Sequence, residues 1–147
     1  MNTHPVEILL VEDNPNDVEL SLHALRKNNL ANNIHVVRDG EEALDFLFCR
    51  GVYQGRDTGL TPKVVFLDLK LPKVDGLEVL RQIRADDRLR TLPVVIMTSS
   101  REERDVVAGY RLGINSYIVK PVEFDQFTEA VRQFGCYWLL LNQPPTL

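Results

Sequence analysis

Five short apolar runs alternate with five helix-like patterns along this chain, and no other feature constrains its fold as much. The runs are VEILLV (6–11), NIHVVR (33–38), KVVFLD (63–68), LPVVIMT (92–98) and SYIVK (116–120). Each has the length of a strand, and a near-continuous apolar strand is one buried on both faces, as in a parallel sheet. The segments between them carry helix signals. Asn14-Pro15-Asn16-Asp17 supplies a capping side chain, a proline at the first helical position and an acid in the first turn, and Val18, Leu22 and Leu25 follow at helical spacing. Asp39, with Glu42 three residues on, opens a second helix with Ala43, Leu44, Leu47 and Phe48 as its apolar face and Gly51 as its end. Asp75 and Glu78 open a third, which buries Leu77, Leu80 and Ile83. Ser100 and Glu103 predict a capping box for the fourth, closed by Gly113. Glu123 begins the last, with Phe124, Phe127, Val131, Phe134 and Trp138 inward. Each helix is long enough to cross over from one strand to the next. The expected class is therefore α/β, a parallel sheet covered by helices on both faces. At 147 residues the chain has room for one such core and not for two. It reads as a single domain over 1–147, with 136–147 extending the last helix into a tail. The connection VYQGRDTGLTP (52–62) is longer than most of its kind and reads as an ordered surface excursion without an assignable role.

The residues that end the strands carry the chemistry. The first run ends in Glu12 and Asp13, the third in Asp68, the fourth in Thr98 and the fifth in Lys120, followed by Pro121. Asp68 is the sharpest case, because a carboxylate is among the last groups a doubly buried strand should carry inward. Ligands of open α/β sheets bind beyond the carboxyl ends of the strands. Three acids, one hydroxyl and one ammonium on that edge are more than chance placement supplies. Clustered carboxylates raise one another's pKa, so keeping them ionised calls for a cation. A hard divalent ion such as Mg2+ takes one or two carboxylates, keeps waters and accepts a phosphoryl oxygen. A carboxylate beside such an ion and a lysine can act as a nucleophile toward phosphorus.

LLVEDN, VVFLDLKLPKVDG, VVIMTSS and SYIVKP together resemble, in order and spacing, the CheY-like receiver domain of two-component response regulators, over roughly residues 6–135. The resemblance implies a (βα)5 flavodoxin-like fold with strand order 2-1-3-4-5. It implies Asp68 as phosphoacceptor, Asp13 as a direct Mg2+ ligand beside Asp68, Glu12 as a ligand through water, and Lys70 as a ligand through its backbone carbonyl. Thr98 would be the switch hydroxyl, Tyr117 the switch aromatic, and Lys120 the phosphate-contacting lysine, with a cis peptide before Pro121. The implied partner is a sensor histidine kinase. The 52–62 loop and the tail YWLLLNQPP are similar to those of stand-alone regulators paired with phytochrome-type kinases.

Other readings of the same residues stay open at this point. Asp13 could cap the first helix, Asp68 could form a turn, and Tyr117 could be a half-buried strand aromatic. The run REERD (101–105) reads as a solvated helix face. An aspartyl-phosphate phosphohydrolase would carry a second Asp two residues after the nucleophile, where this chain has Lys70. A binding module that never sees phosphate would be expected to lack one of the acids or the lysine. The net charge of −4 argues against a nucleic-acid or anionic-membrane surface. No apolar stretch reaches membrane-spanning length, and the N-terminus lacks the basic region of a signal peptide. Cys49 and Cys136 lack metal-ligand spacing and read as thiols in a reducing compartment, so a soluble, cytoplasmic protein is expected. Finally, Cys136 to Leu141 are consecutive apolar residues. Neighbours on a helix lie about 100° apart, so one face cannot hold them all. A homodimer through the last helix and tail is the expectation, with a kinase-docking surface or a tail folded back onto the sheet edge as the alternatives, and with output through protein contacts.

Overall fold

The first apolar run forms strand β1 (Ile8–Val11), whose four residues are all buried. The computed structural model of the chain describes residues 6–27, 33–99, 102–120, 125–126, 129–130 and 132–133. After β1 come α1 (Pro15–Lys27), β2 (Ile34–Val37), α2 (Gly40–Leu47), a single 3-10 turn (Gly51–Tyr53), β3 (Val64–Leu67), α3 (Gly76–Ala85), β4 (Val94–Thr98), α4 (Glu103–Arg111) and β5 (Ser116–Val119). Residues 125–126, 129–130 and 132–133 are helical, within the span expected of the last helix. The five strands form one parallel sheet in the order β2-β1-β3-β4-β5. This is the flavodoxin-like order, with a crossover reversal between β1 and β3.

Side chains alternate across the strands, so the sheet builds two cores. Ile8, Leu10, Val64, Phe66, Val95 and Met97 face α1, where Val18, Ala24 and Leu25 meet them. Leu9, Val11, Val65, Leu67, Val94 and Ile96 face the other way, toward Leu44 and Leu47 of α2 and Val79, Leu80 and Ile83 of α3.

The predicted caps hold at three helices. Asn14 Oδ1 accepts from the backbone N–H of Asn16 and Asp17, at 2.9 and 3.3 Å. Asp39 accepts from Glu42 N–H at 2.7 Å, and Asp75 from Glu78 N–H at 3.0 Å. Gly113, at φ +74°, ends α4: its N–H bonds Tyr110 O and the next N–H, of Ile114, bonds Gly109 O, a Schellman closure.

Three local expectations are corrected. Helix α4 starts after Glu102, whose backbone is extended and whose carbonyl takes the N–H of Asp105 and Val106, so a Ser100–Glu103 box does not open it; Ser100 lies outside the described residues. Helix α2 ends before Gly51: Cys49 already turns into the left-handed region at φ +55°, and Gly51 starts the 3-10 turn. Phe46 rather than Phe48 is the fully buried phenylalanine of α2, because the 52–62 excursion folds back over it. The Arg56 guanidinium sits 3.6 Å from the centroid of the Phe46 ring and donates to the carbonyls of Phe46 and Leu60. Arg88 donates to Leu47 O and Thr58 O. Phe124, Phe127, Val131, Phe134, Trp138, the peptide before Pro121 and the 136–147 tail lie outside the described residues.

Candidate functional site

Every strand of this sheet points its carboxyl end to one edge, and the polar strand ends expected there converge. Glu12 and Asp13 follow β1, Asp68 follows β3, Thr98 ends β4 and Lys120 follows β5. Asp68 is held by the ladder up to its own amide, which bonds Val11 O at 3.0 Å, and its Oδ1 accepts from Lys70 N–H at 3.2 Å. Lys120 N–H bonds Thr98 O, so the lysine leaves the sheet beside the buried threonine. Tyr117 pairs in register with Ile96 and packs half-buried against the α2–α3 core. Lys70 is exposed at the rim.

Gly76 lets this edge close. A Cβ on Gly76 would lie 2.3 Å from Asp68 O and 2.6 Å from Leu69 Cα, distances no side chain tolerates. Helix α3 therefore starts directly against the backbone of Asp68. Gly40 makes the matching approach at α2, where a Cβ would lie 1.8 Å from Val74 O.

The charges are unevenly shared. Glu12, Asp13 and Asp68 bring one carboxylate oxygen each within 4.8 Å of one another, and Glu12 and Asp68 are buried while Asp13 is exposed. Lys120, itself buried, bonds Glu12 Oε1, lies 2.7 Å from Asp17 Oδ2 and 3.6 Å from Asp68 Oδ2. Burial pushes the Glu12 carboxyl up to about 8, with Asp68 adding to the rise and Lys120 opposing it. Burial works against the Lys120 ammonium as well, yet its bonds to Asp17 and Glu12 lift its pKa above the usual lysine value. Three carboxylate oxygens within 4.8 Å of one another and an open side at Asp13 fit a hard divalent cation.

Two residues of this edge were not singled out in the sequence. Asp17 reads there as a helix-start acid, and only the fold reveals that the first turn of α1 faces Lys120. Asp105, expected on a solvated face within 101–105, is instead buried, and with Leu69, Lys70 and Leu71 it lines a depression beside the site. The helical phase of α4 turns it inward, which a short charged run does not disclose.

The response regulator receiver domain family matches residues 8–132. The chain belongs to that family. Receiver domains accept a phosphoryl group on an aspartate from a histidine kinase, and this one is accordingly a signalling protein with an acidic pocket for a divalent metal. A probable methanogenesis regulatory protein, FilR2 of Methanothrix harundinacea, is 41% identical over 96% of this chain and 88% of its own. The response regulator Rcp1 of Synechocystis is 36% identical over 92% of this chain and 90% of its own. A crystal structure of Rcp1 in its Mn2+-bound form superposes with a TM-score of 0.87 at 35% identity, covering 97% of this chain and 100% of that one. The bacteriophytochrome response regulator AtBRR is 57% identical, with a TM-score of 0.74 over 95% of this chain and 99% of that one. Among the described residues, no helix of this receiver domain is long and apolar enough to cross a membrane.

Proposed function

We propose that Asp68 is the phosphoacceptor of this receiver domain and that its phosphodonor is a histidine kinase of the phytochrome type. The observation that carries the first part is the position of Asp68: buried at the end of the central strand, with a carboxylate oxygen within 4.8 Å of those of Glu12 and Asp13 and 3.6 Å from the Lys120 ammonium. An Asp68 carboxylate oxygen attacks phosphorus, an O–P bond forms, and the P–N bond to the kinase imidazole breaks, the imidazole keeping the electron pair. Bound Mg2+ would neutralise the carboxylates and the phosphoryl oxygens. Asp13, Asp68, the Lys70 carbonyl and, through water, Glu12 are the groups proposed to hold it. Lys120 contacts the arriving phosphoryl oxygens and Thr98 hydrogen-bonds them. Tyr117 then follows Thr98 inward, a charge event at the sheet edge biasing a two-state surface. Output passes through protein contacts.

The likeness to the bacteriophytochrome response regulator AtBRR supports the choice of kinase. Phosphotransfer from purified autophosphorylated kinases tests it. A phytochrome-type kinase is expected to lose its label to this protein within the time other kinases retain theirs, and not to lose it to Asp68→Asn. Faster transfer from an unrelated kinase would overturn the pathway assignment.

A further inference from the structure

The lysine of this site is held by a residue to which nothing above gives a role. An ammonium has three N–H donors and no acceptor, so three anions can share it at most. Here two of its contacts are hydrogen bonds, to Glu12 and to Asp17 at 2.7 Å, whereas Asp68 at 3.6 Å is beyond hydrogen-bond reach. Lys120 is thus drawn toward β1 and α1 and away from Asp68. Asp17 suits that task. It sits in the first turn of α1, where the helix N-terminus favours a negative charge, and its own N–H is fixed by Asn14 Oδ1. Its side chain is about a quarter exposed, at 26%, so it stays solvated when the lysine leaves, unlike Glu12 at 5%.

We infer that Asp17 is a positioning residue that holds Lys120 off Asp68 in the unphosphorylated protein and competes with the phosphoryl group for it. This rests on Asp68 being the phosphoacceptor. A phosphoryl group on Asp68 carries close to two negative charges and strong acceptor oxygens, and it competes with Asp17 for the same ammonium. Asp17 therefore lowers the stability of the phosphorylated form and sets how far phosphorylation must go before the lysine moves. Loss of general negative charge would have a similar effect without the lysine, so the two explanations differ in whether Lys120 is required.

The test is a double-mutant cycle on binding of beryllium fluoride with Mg2+, followed by NMR titration of the full chain. Asp17→Asn is expected to tighten that binding about tenfold in the wild-type background, the size of one charge-assisted hydrogen bond no longer lost. The same substitution in Lys120→Gln is expected to change it less than about twofold, and Asp17→Glu to restore the wild-type value. Equal tightening in both backgrounds, or none in either, would overturn the inference. Asp17→Ser provides a second variant if Asp17→Asn does not fold. Beryllium fluoride binding by Asp68→Asn as tight as by wild type would instead overturn the phosphoacceptor assignment on which the inference stands.

Discussion

His35 shows how single residues in this fold take their properties from what covers them. It lies on the edge strand β2, stacked on Phe46 with ring centroids 4.7 Å apart, and its Nε2 is 2.9 Å from the Tyr53 hydroxyl. That hydroxyl gives its one proton to Glu42 at 2.7 Å, so Nε2 of His35 is the donor to the Tyr53 oxygen. Burial lowers the pKa of His35, Arg56 adding to the fall and Glu42 opposing it. The unfolded chain thus binds a proton near the ordinary histidine value of about 6.5 that the folded chain resists. The histidine's contribution to stability is fully present above that value and is lost as pH falls through it toward the depressed folded pKa. Urea midpoints measured between about pH 8 and about pH 5 are expected to fall less in His35→Gln than in wild type. An identical pH profile for the two proteins would contradict this. The polar strand ends, by contrast, were readable directly from sequence, because Asp68 breaks an apolar run and the runs around it end the same way. Asp17 was not, since its partner Lys120 is distant in sequence and meets it only when β5 takes the edge beyond β4.

At the scale of elements, the strand positions and three of the helix caps followed from local chemistry: Asp39, Asp75 and Gly113 act through neighbours within a few residues, which is what a sequence pattern encodes. In α3, by contrast, Val79 takes the buried place expected of Leu77, which is half-buried. Phe46 and the 52–62 connection did not follow from local chemistry either. Their structure depends on Arg56 and Arg88 reaching carbonyls in other segments, and no spacing rule reports an arginine lying flat on a ring. The excursion is ordered because both guanidiniums tie it to α2, with Arg56 closing over Phe46. Arg56→Ala is expected to cost about 1–2 kcal/mol and to raise amide hydrogen exchange across 51–60 while leaving β3 protected. Unchanged exchange in that segment would mean that the excursion is held by its own turns.

At the scale of the whole molecule, the sheet gathers its reactive groups on one edge. Six consecutive apolar residues, Cys136 to Leu141, led to the expectation of a homodimer through the last helix and tail. Burying a Leu or Trp side chain is worth on the order of 2 kcal/mol, and a two-fold contact uses each residue twice. Sedimentation at micromolar concentration is expected to show a dimer that removal of residues 137–147 converts to monomer. A monomer in both forms, phosphorylated or not, would rule the dimer out.

The central claim is that the carboxyl edge of the sheet converts Asp68 into the phosphoacceptor. Intact-mass measurement after incubation with acetyl phosphate and Mg2+ tests it most directly. The wild-type chain is predicted to gain the mass of one phosphoryl group, the gain to vanish when Mg2+ is chelated, and Asp68→Asn to gain nothing. Labelling of Asp68→Asn at full stoichiometry would contradict the account and place the acceptor elsewhere.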